Sequence, residues 1–518
     1  MKRDSKMKKN NWFLMFFRRM GIIKYIFLVY ILITIIISLF LFWPITHNKT
    51  FLKDNSISIK YSDAFFLAAS AFSDTGLSSI PGGLLGFNQF GQFLIALSIM
   101  VGGLGIFTLK VYILQNIFGI KLTVFNGQLS QMERGGNTIG ETKKIIKVSI
   151  TTMLITLFVL SVVFTIIFYT SPYGKFDTTK FNQNRVVDNI TMFNPYEVTS
   201  QNPKGDFTKS IRYGIFHAIS SLNNAGLDII GRKSLAPYSE EYALQIFTLI
   251  AIFIGGVGYP VIYDFYAKIK SFRKNENAHC LSLFTKLTLV TYLIVSCVGL
   301  LLTFIFECST KNKTRFWNQS EYGGNWEKTF ATFFQTMSTR SAGFSTIDYY
   351  HFTNQSIVVH SILMFIGFSP ASTAGGIRNL TLSILFLSMI STLLGRRSVN
   401  VFKRQIGKET LIKAINIFTI GIVLILIGTL VVYSSYTPTH SGQKEFTMVH
   451  ALFEICSAFG SSGLSVGVTP NVNILGKIFL ITYMIIGQLG IQQTILIWAK
   501  NRTNVEHYHY IYEDVALG

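Results

Sequence analysis

The chain has 518 residues, of which 49% are hydrophobic and only 14% are charged. Soluble domains carry about 25% charge, so this composition excludes a string of soluble domains and points to a polytopic membrane protein. The net charge of +21 would suit nucleic acid, but the charge is placed in clusters between apolar runs, which argues against that partner.

Residues 1–20 form a basic arm with Lys2, Arg3, Lys6, Lys8, Lys9, Arg18 and Arg19. The first long apolar run, Ile22–Ile45, has no small-residue cleavage site and is too long for a signal-peptide core, so it reads as a retained span. Tyr61–Ser73 has helical apolar spacing over about a dozen residues, which is too short to cross and fits a re-entrant half-helix. A polar loop around Gly76 follows, and Phe93–Ile117 returns the chain to the inner side. This first unit (21–118) is span, half-helix, polar loop, span.

The same order recurs three times. The second unit (145–270) has Ile145–Thr170, a long polar outer segment Ser171–Lys209, the half-helix Ile211–Leu222, Gly226 and the return span Tyr242–Tyr263. The third (281–395) has Leu281–Glu307, Trp326–Ser338, Gly343 and Ile357–Leu394. The fourth (410–500) has Leu411–Val432, Thr447–Ser457, Gly463 and Ile474–Trp498, followed by a polar tail, 501–518, with His507 and His509. Each return span carries a further glycine 24–29 residues after its loop glycine, at Gly102, Gly255, Gly367 and Gly487. Close packing of helices explains Gly102, Gly103, Gly255 and Gly256.

The remaining basic clusters, Lys121 to Lys147, Lys268 to Lys274 and Arg396 to Arg404, fall on the same side as the arm if the spans alternate. That is the positive-inside pattern, with both termini cytoplasmic, and membrane lipid suffices to use the charge. Cys280, Cys297, Cys308 and Cys456 show neither paired spacing nor a C-x-x-C, so neither a disulfide framework nor a zinc site is expected.

Backbone without partners is too costly to leave in lipid, so four polar non-helical loops at membrane depth must line something wet. The expected fold is therefore all-α: four span–pore-helix–span repeats, eight transmembrane spans, and pseudo-fourfold symmetry about a central pore. Glycine allows carbonyls to turn inward and four backbones to approach. The half-helices end at the loops, so their negative dipole ends favour a cation.

The motifs Phe72-Ser73-Asp74-Thr75-Gly76-Leu77, Asn223-Asn224-Ala225-Gly226-Leu227, Thr339-Arg340-Ser341-Ala342-Gly343-Phe344 and Ser457–Leu464 carry a resemblance, together with Ser369–Arg378. With these the chain resembles the Trk/Ktr/HKT superfamily of potassium transporters, most closely the KtrB-type membrane subunit, over roughly residues 22–500. The resemblance implies a potassium filter at Gly76, Gly226, Gly343 and Gly463, each with its preceding residue, Thr75, Ala225, Ala342 or Ser462. It also implies a mobile intramembrane gating loop, matched here by Ala371, Ser372, Thr373, Ala374, Gly375, Gly376 and Arg378. A homodimer on a cytosolic ring of nucleotide-binding KtrA-type subunits is implied as well, and so is the sodium dependence known in the family. A static Pro/Gly kink is the alternative for 369–378.

Two features depart from a bare ring. The family's usual arginine after the first glycine of the fourth return span is Gln488 here. A neutral amide lowers the inner barrier, unless Arg378 supplies it. Arg340 lies beside a filter segment, and the expected arrangement is an ion pair with Asp74 or Asp228; those carboxylates could instead gather cations at the mouth.

The sequence has no P-loop, so no cofactor is expected in this chain. The membrane potential suffices for uptake: one charge moving through ~100 mV yields ~2.3 kcal/mol, or roughly 50-fold accumulation. A sodium-selective or unselective cation pathway of the same architecture is the first alternative. An alternating-access carrier is a weaker one, because only the third return span shows a clear break. An intramembrane hydrolase lacks a catalytic pair at spanning depth.

Overall fold

The computed structural model describes residues 22–54, 57–103, 139–172, 186–187, 190–191, 202–231, 234–273, 280–436, 446–491 and 494. The basic arm, Lys121 and Arg134, the ends of the first and fourth return spans, most of the outer segment Ser171–Lys209 and the tail with His507 and His509 lie outside the described residues.

Long apolar runs become long helices because a helix satisfies its own backbone where water is absent. The first spans of the units are α1 (Ile22–Phe42), α4 (Ile139–Thr170), α8 (Leu283–Ser309) and α12 (Lys408–Ser435). Among the described residues, α8, α12 and the 147–170 part of α4 are each long and apolar enough to cross a membrane. They present apolar side chains outward, such as Phe158, Leu293, Leu301 and Leu430.

The half-helices are α2 (Tyr61–Phe72), α5 (Phe207–Leu222), α9 (Asn325–Ser338) and α13 (Met448–Phe459). Local capping starts three of them. Asp63 accepts from the Lys60 N–H at 3.3 Å, Asp206 accepts from the Lys209 N–H at 3.1 Å, and His450 Nδ1 accepts from the Thr447 N–H at 3.1 Å. At 12 residues, α2 is ~18 Å long and cannot cross ~30 Å of hydrocarbon.

The return segments are α3 (Gln89–Gly103), α6 (Tyr242–Gly256) with α7 (Tyr259–Arg273), α10 (Asn354–Phe365) with α11 (Asn379–Leu393), and α14 (Ile474–Leu489). The second return segment is not one continuous span to Tyr263. It bends by 97° between α6 and α7, because Gly258 has φ +83° and interrupts the helical ladder. The third unit is therefore not alone in having a break. The two breaks satisfy each other: the Ser369 N–H donates to Gly256 O at 3.3 Å, and the Tyr259 N–H donates to Ala371 O at 3.1 Å. Gly490, with φ +90°, likewise ends α14.

The helix packing forms a closed cycle. Each half-helix packs on the first span of its own unit and on a return helix of the preceding one: α5 on α3, α9 on α6, α13 on α10, and α2 on α14; α2, α5 and α13 also pack on their own return helix. Among the described residues two large apolar cores fill the cycle, and a small third cluster, Val257, Val261, Phe368 and Ala374, lies at the two breaks. One large core is centred on Phe164, Phe168, Tyr213 and Phe334, the other on Phe66, Tyr349, Phe453 and Phe459. The β content is slight: β1 (Val186–Val187) pairs with β2 (Ile190–Thr191), and β3 (Asn400–Val401) pairs with β4 (Arg404–Gln405), both antiparallel.

Candidate functional site

The four loop glycines meet. A Cβ placed on Gly76 would strike Ala225 O and lie 3.2 Å from Gly463 Cα; on Gly226 it would lie 2.6 Å from Ala342 O and 2.8 Å from Gly343 Cα. On Gly343 it would strike Ser462 O, and on Gly463 it would strike Thr75 O and lie 2.9 Å from Gly76 Cα. Each glycine thus faces the carbonyl of the next segment, in the order 76, 226, 343, 463 and back to 76. All four have φ between +67° and +93°, a region that side chains disfavour.

The residue two before each glycine is also left-handed: Asp74 (+50°), Asn224 (+58°), Ser341 (+88°) and Ser461 (+46°). In three units this residue closes a Schellman cap. The N–H groups of Thr75, Ala225 and Ser462 reach back to the carbonyls of Ser70, Ser220 and Ser457 at 2.8–2.9 Å. In the third, the Ala342 N–H reaches Ser338 O at 3.0 Å, a turn one residue shorter. Asp and Asn tolerate this conformation, which is the one sequence signal for it; the two serines give none.

The return-span glycines hold the half-helix ends. Gly102, Gly255 and Gly487 press on the carbonyls of Phe72, Leu222 and Phe459, the last residues of α2, α5 and α13. A side chain at any of them would strike backbone, so close approach is their physical role. Gly103 similarly abuts the Asn223 side chain, and Gly256 the Phe368 ring.

The break between α10 and α11 lies against the segments of the second and fourth units. The Thr373 hydroxyl donates to Gly255 O at 3.3 Å and is 3.1 Å from the Asn224 amide. Gly375 abuts Ser461. Ala371 (φ +57°) and Gly376 (φ +77°) turn the chain. Ser372 Oγ donates to Ser369 O at 2.7 Å, and the Ala374 N–H donates back to it at 3.2 Å. The Arg378 guanidinium donates to Ala374 O and, at 3.2 Å, to Gln488 O. The Gln488 amide donates to Asp74 Oδ2 at 3.2 Å.

A model of the TrkH family, described as cation transport protein, matches residues 22–508. This chain belongs to the TrkH family. It is 31% identical to the Mycoplasma genitalium cation transporter MG322 across 95% of this chain and 96% of that protein. It is 29% identical to Ktr system potassium uptake protein D of Bacillus subtilis, covering 88% and 90%. It is 27% identical to the potassium/sodium uptake protein NtpJ of Enterococcus hirae, covering 90% and 92%. The crystal structure of the potassium transporter TrkH from Vibrio parahaemolyticus superposes with TM-score 0.59 at 18% identity, over 85% of this chain and 79% of that one. The chain is thus a multi-pass membrane protein of the Trk/Ktr superfamily, similar to the Ktr membrane subunits.

In this TrkH-family chain the flanking charges are not paired as expected. Arg340 bonds to neither Asp74 nor Asp228. Its guanidinium is fully buried and donates to the carbonyls of Leu363 (3.3 Å), Ile366 (2.7 Å) and Gly367 (3.1 Å). Asp228 accepts from the backbone N–H groups of Ile230 (3.1 Å) and Gly231 (3.4 Å). Each group found a nearer partner in backbone that only the folded loops expose.

Three buried side chains that support the loops were not singled out in the sequence. Glu454 on α13 accepts from Ser465 Oγ, Thr469 Oγ1 and the N–H groups of Val466, Gly467 and Val468, at 2.6–3.3 Å. Gln335 on α9 takes the N–H groups of Thr346 (2.7 Å) and Ile347 (3.1 Å) on its amide oxygen. Asp63 on α2 accepts from Ser79 Oγ at 2.8 Å and pairs with Lys477 of α14 at 2.5 Å. For Glu454 and Asp63 the available signal was a carboxylate on a mostly apolar half-helix; Gln335 lies among other polar residues on α9 and gave none.

Proposed function

We propose that this protein takes up potassium through a channel-like pore. The filter is made by Gly76, Gly226, Gly343 and Gly463 with the carbonyls of Thr75, Ala225, Ala342 and Ser462. The observation that carries this reading is the closed ring in which each glycine faces the next segment's carbonyl. Four inward backbones supply the oxygen ligands that replace a cation's water shell, and the C-terminal ends of α2, α5, α9 and α13 add negative potential. Potassium is favoured by the names of the Bacillus subtilis and Vibrio parahaemolyticus proteins.

In this reading the four units give eight spans, and segment 369–378 is the gate beneath the filter. The ion moves down the membrane potential, and Arg378 and Gln488 shape the inner barrier. The protein works in the cell membrane with both termini cytoplasmic, as a homodimer under a cytosolic nucleotide-binding subunit of the KtrA type. The Ktr relatives are named as parts of a system, which supports a second component.

The test is expression in a cell that lacks potassium uptake, together with the regulatory subunit, with potassium and sodium fluxes measured separately. Rescue of growth with potassium entering faster than sodium is expected. No rescue from membrane-inserted protein would overturn the reading. Equal or greater sodium entry would replace it with the second reading, a sodium or unselective pathway, which the name of the Enterococcus hirae relative favours.

A further inference from the structure

At the position three before the filter glycine the four segments carry Ser73, Asn223, Arg340 and Gly460, so the third alone has a long cationic side chain. Its guanidinium lies 5.5 Å from the centre of the Tyr292 ring, and that ring stacks on Phe368 of the break at 4.0 Å. The three carbonyls it binds are those left over where α10 stops. A continuing helix would offer Ile366 O the N–H of residue 370, but residue 370 is proline and has none. Arg340 supplies the missing donor at 2.7 Å.

The other three units need no such device. There a return-span glycine presses directly on the last carbonyl of the half-helix, whereas Gly367 faces Gly375 O instead. The break has pulled the third return span out of that contact, and the guanidinium bridges the gap. We propose that Arg340 is a positioning residue that sets ion selectivity by holding the third filter segment, Ser341–Gly343, to the upstream end of the break. This rests on the filter reading above. A planar fork suits three divergent carbonyls, and a lysine ammonium does not. The charge is buried among carbonyl dipoles and an aromatic face.

The experiment compares the wild-type full chain with Arg340→Lys, Arg340→Met and Tyr292→Leu in potassium-uptake-deficient cells. Potassium flux, sodium flux and the amount of membrane-inserted protein are measured for each. Arg340→Lys is expected to insert normally and to lower the potassium-to-sodium flux ratio roughly tenfold, with Arg340→Met lower still and Tyr292→Leu a few-fold lower. A purely structural role would change the amount of inserted protein and leave the ratio per molecule alone; an unchanged ratio in the inserted variants would overturn the proposal. If neither Arg340 variant inserts, Tyr292→Leu decides by the same criterion. Wild-type protein without potassium selectivity would overturn the filter reading and this role with it, an outcome distinct from a selective wild type with equally selective variants.

Discussion

The side-chain amide of Gln488 lies 3.2 Å from the Asp74 carboxylate, joining the last return helix to the first glycine segment across 414 residues. The same residue's backbone carbonyl takes a bond from Arg378 at 3.2 Å. Gln488 is therefore a neutral link between Asp74 and Arg378.

Replacing it tests the inner barrier. Gln488→Arg would set a guanidinium against Asp74. A unit charge ~8 Å from a permeating ion opposes it by ~2 kcal/mol at an effective dielectric of ~20, and Asp74 neutralises part of that, so potassium flux should fall about tenfold. Isotope uptake at equal membrane expression measures it. An unchanged flux would remove Gln488 from the permeation path.

The glycine ring makes a sharper demand. Gly226→Ala would place a methyl 2.6 Å from Ala342 O, with the backbone at φ +67°. The left-handed strain alone costs about 1–2 kcal/mol, and the clash pushes the second and third segments apart. Selectivity for potassium over sodium should drop by about tenfold or more. A variant that stays selective would show that this contact does not define the filter.

Thr373 tests the proposed gate. Its hydroxyl bonds Gly255 O and contacts the Asn224 amide, tying the break to the second unit. Thr373→Val removes the bond at nearly constant volume. Since one such bond is worth about 1 kcal/mol, resting uptake should rise roughly fivefold if segment 369–378 must leave this position to conduct. Unaltered or reduced uptake would favour a static kink.

The Asp63–Lys477 pair closes the cycle between the fourth and first units. Asp63→Asn should lower the stability of the detergent-solubilised protein by about 2 kcal/mol, because Lys477 would lose its countercharge while largely buried. Thermal unfolding is the measurement. Combining it with Lys477→Met should recover part of the loss. Strictly additive losses would mean that the pair is not coupled.

Much of this architecture was legible in the sequence because it depends on local quantities. Whether an apolar run spans is decided by its length against the bilayer, so α4, α8 and α12 and the short α2 and α13 could be read directly. The polar glycine segments were equally plain, since four polar loops between spans have few places to go. One local signal was misread. Tyr242–Tyr263 was read as one continuous return span, yet Gly258 takes φ +83° and the segment bends by 97°.

The sequence by itself determined the long apolar helices, the half-helices and the positions of the four glycines. Only the tertiary structure decided which segment faces which, and where the buried charges go. Arg340 shows the physical reason. From the sequence its natural partners were carboxylates, because charge is visible in a sequence. Its actual partners are three carbonyls that become free only once α10 has ended at Phe365 and the break has taken its shape. Every residue has a carbonyl, so which ones are left without a donor is a property of the folded chain, and that choice makes the third segment unlike the other three.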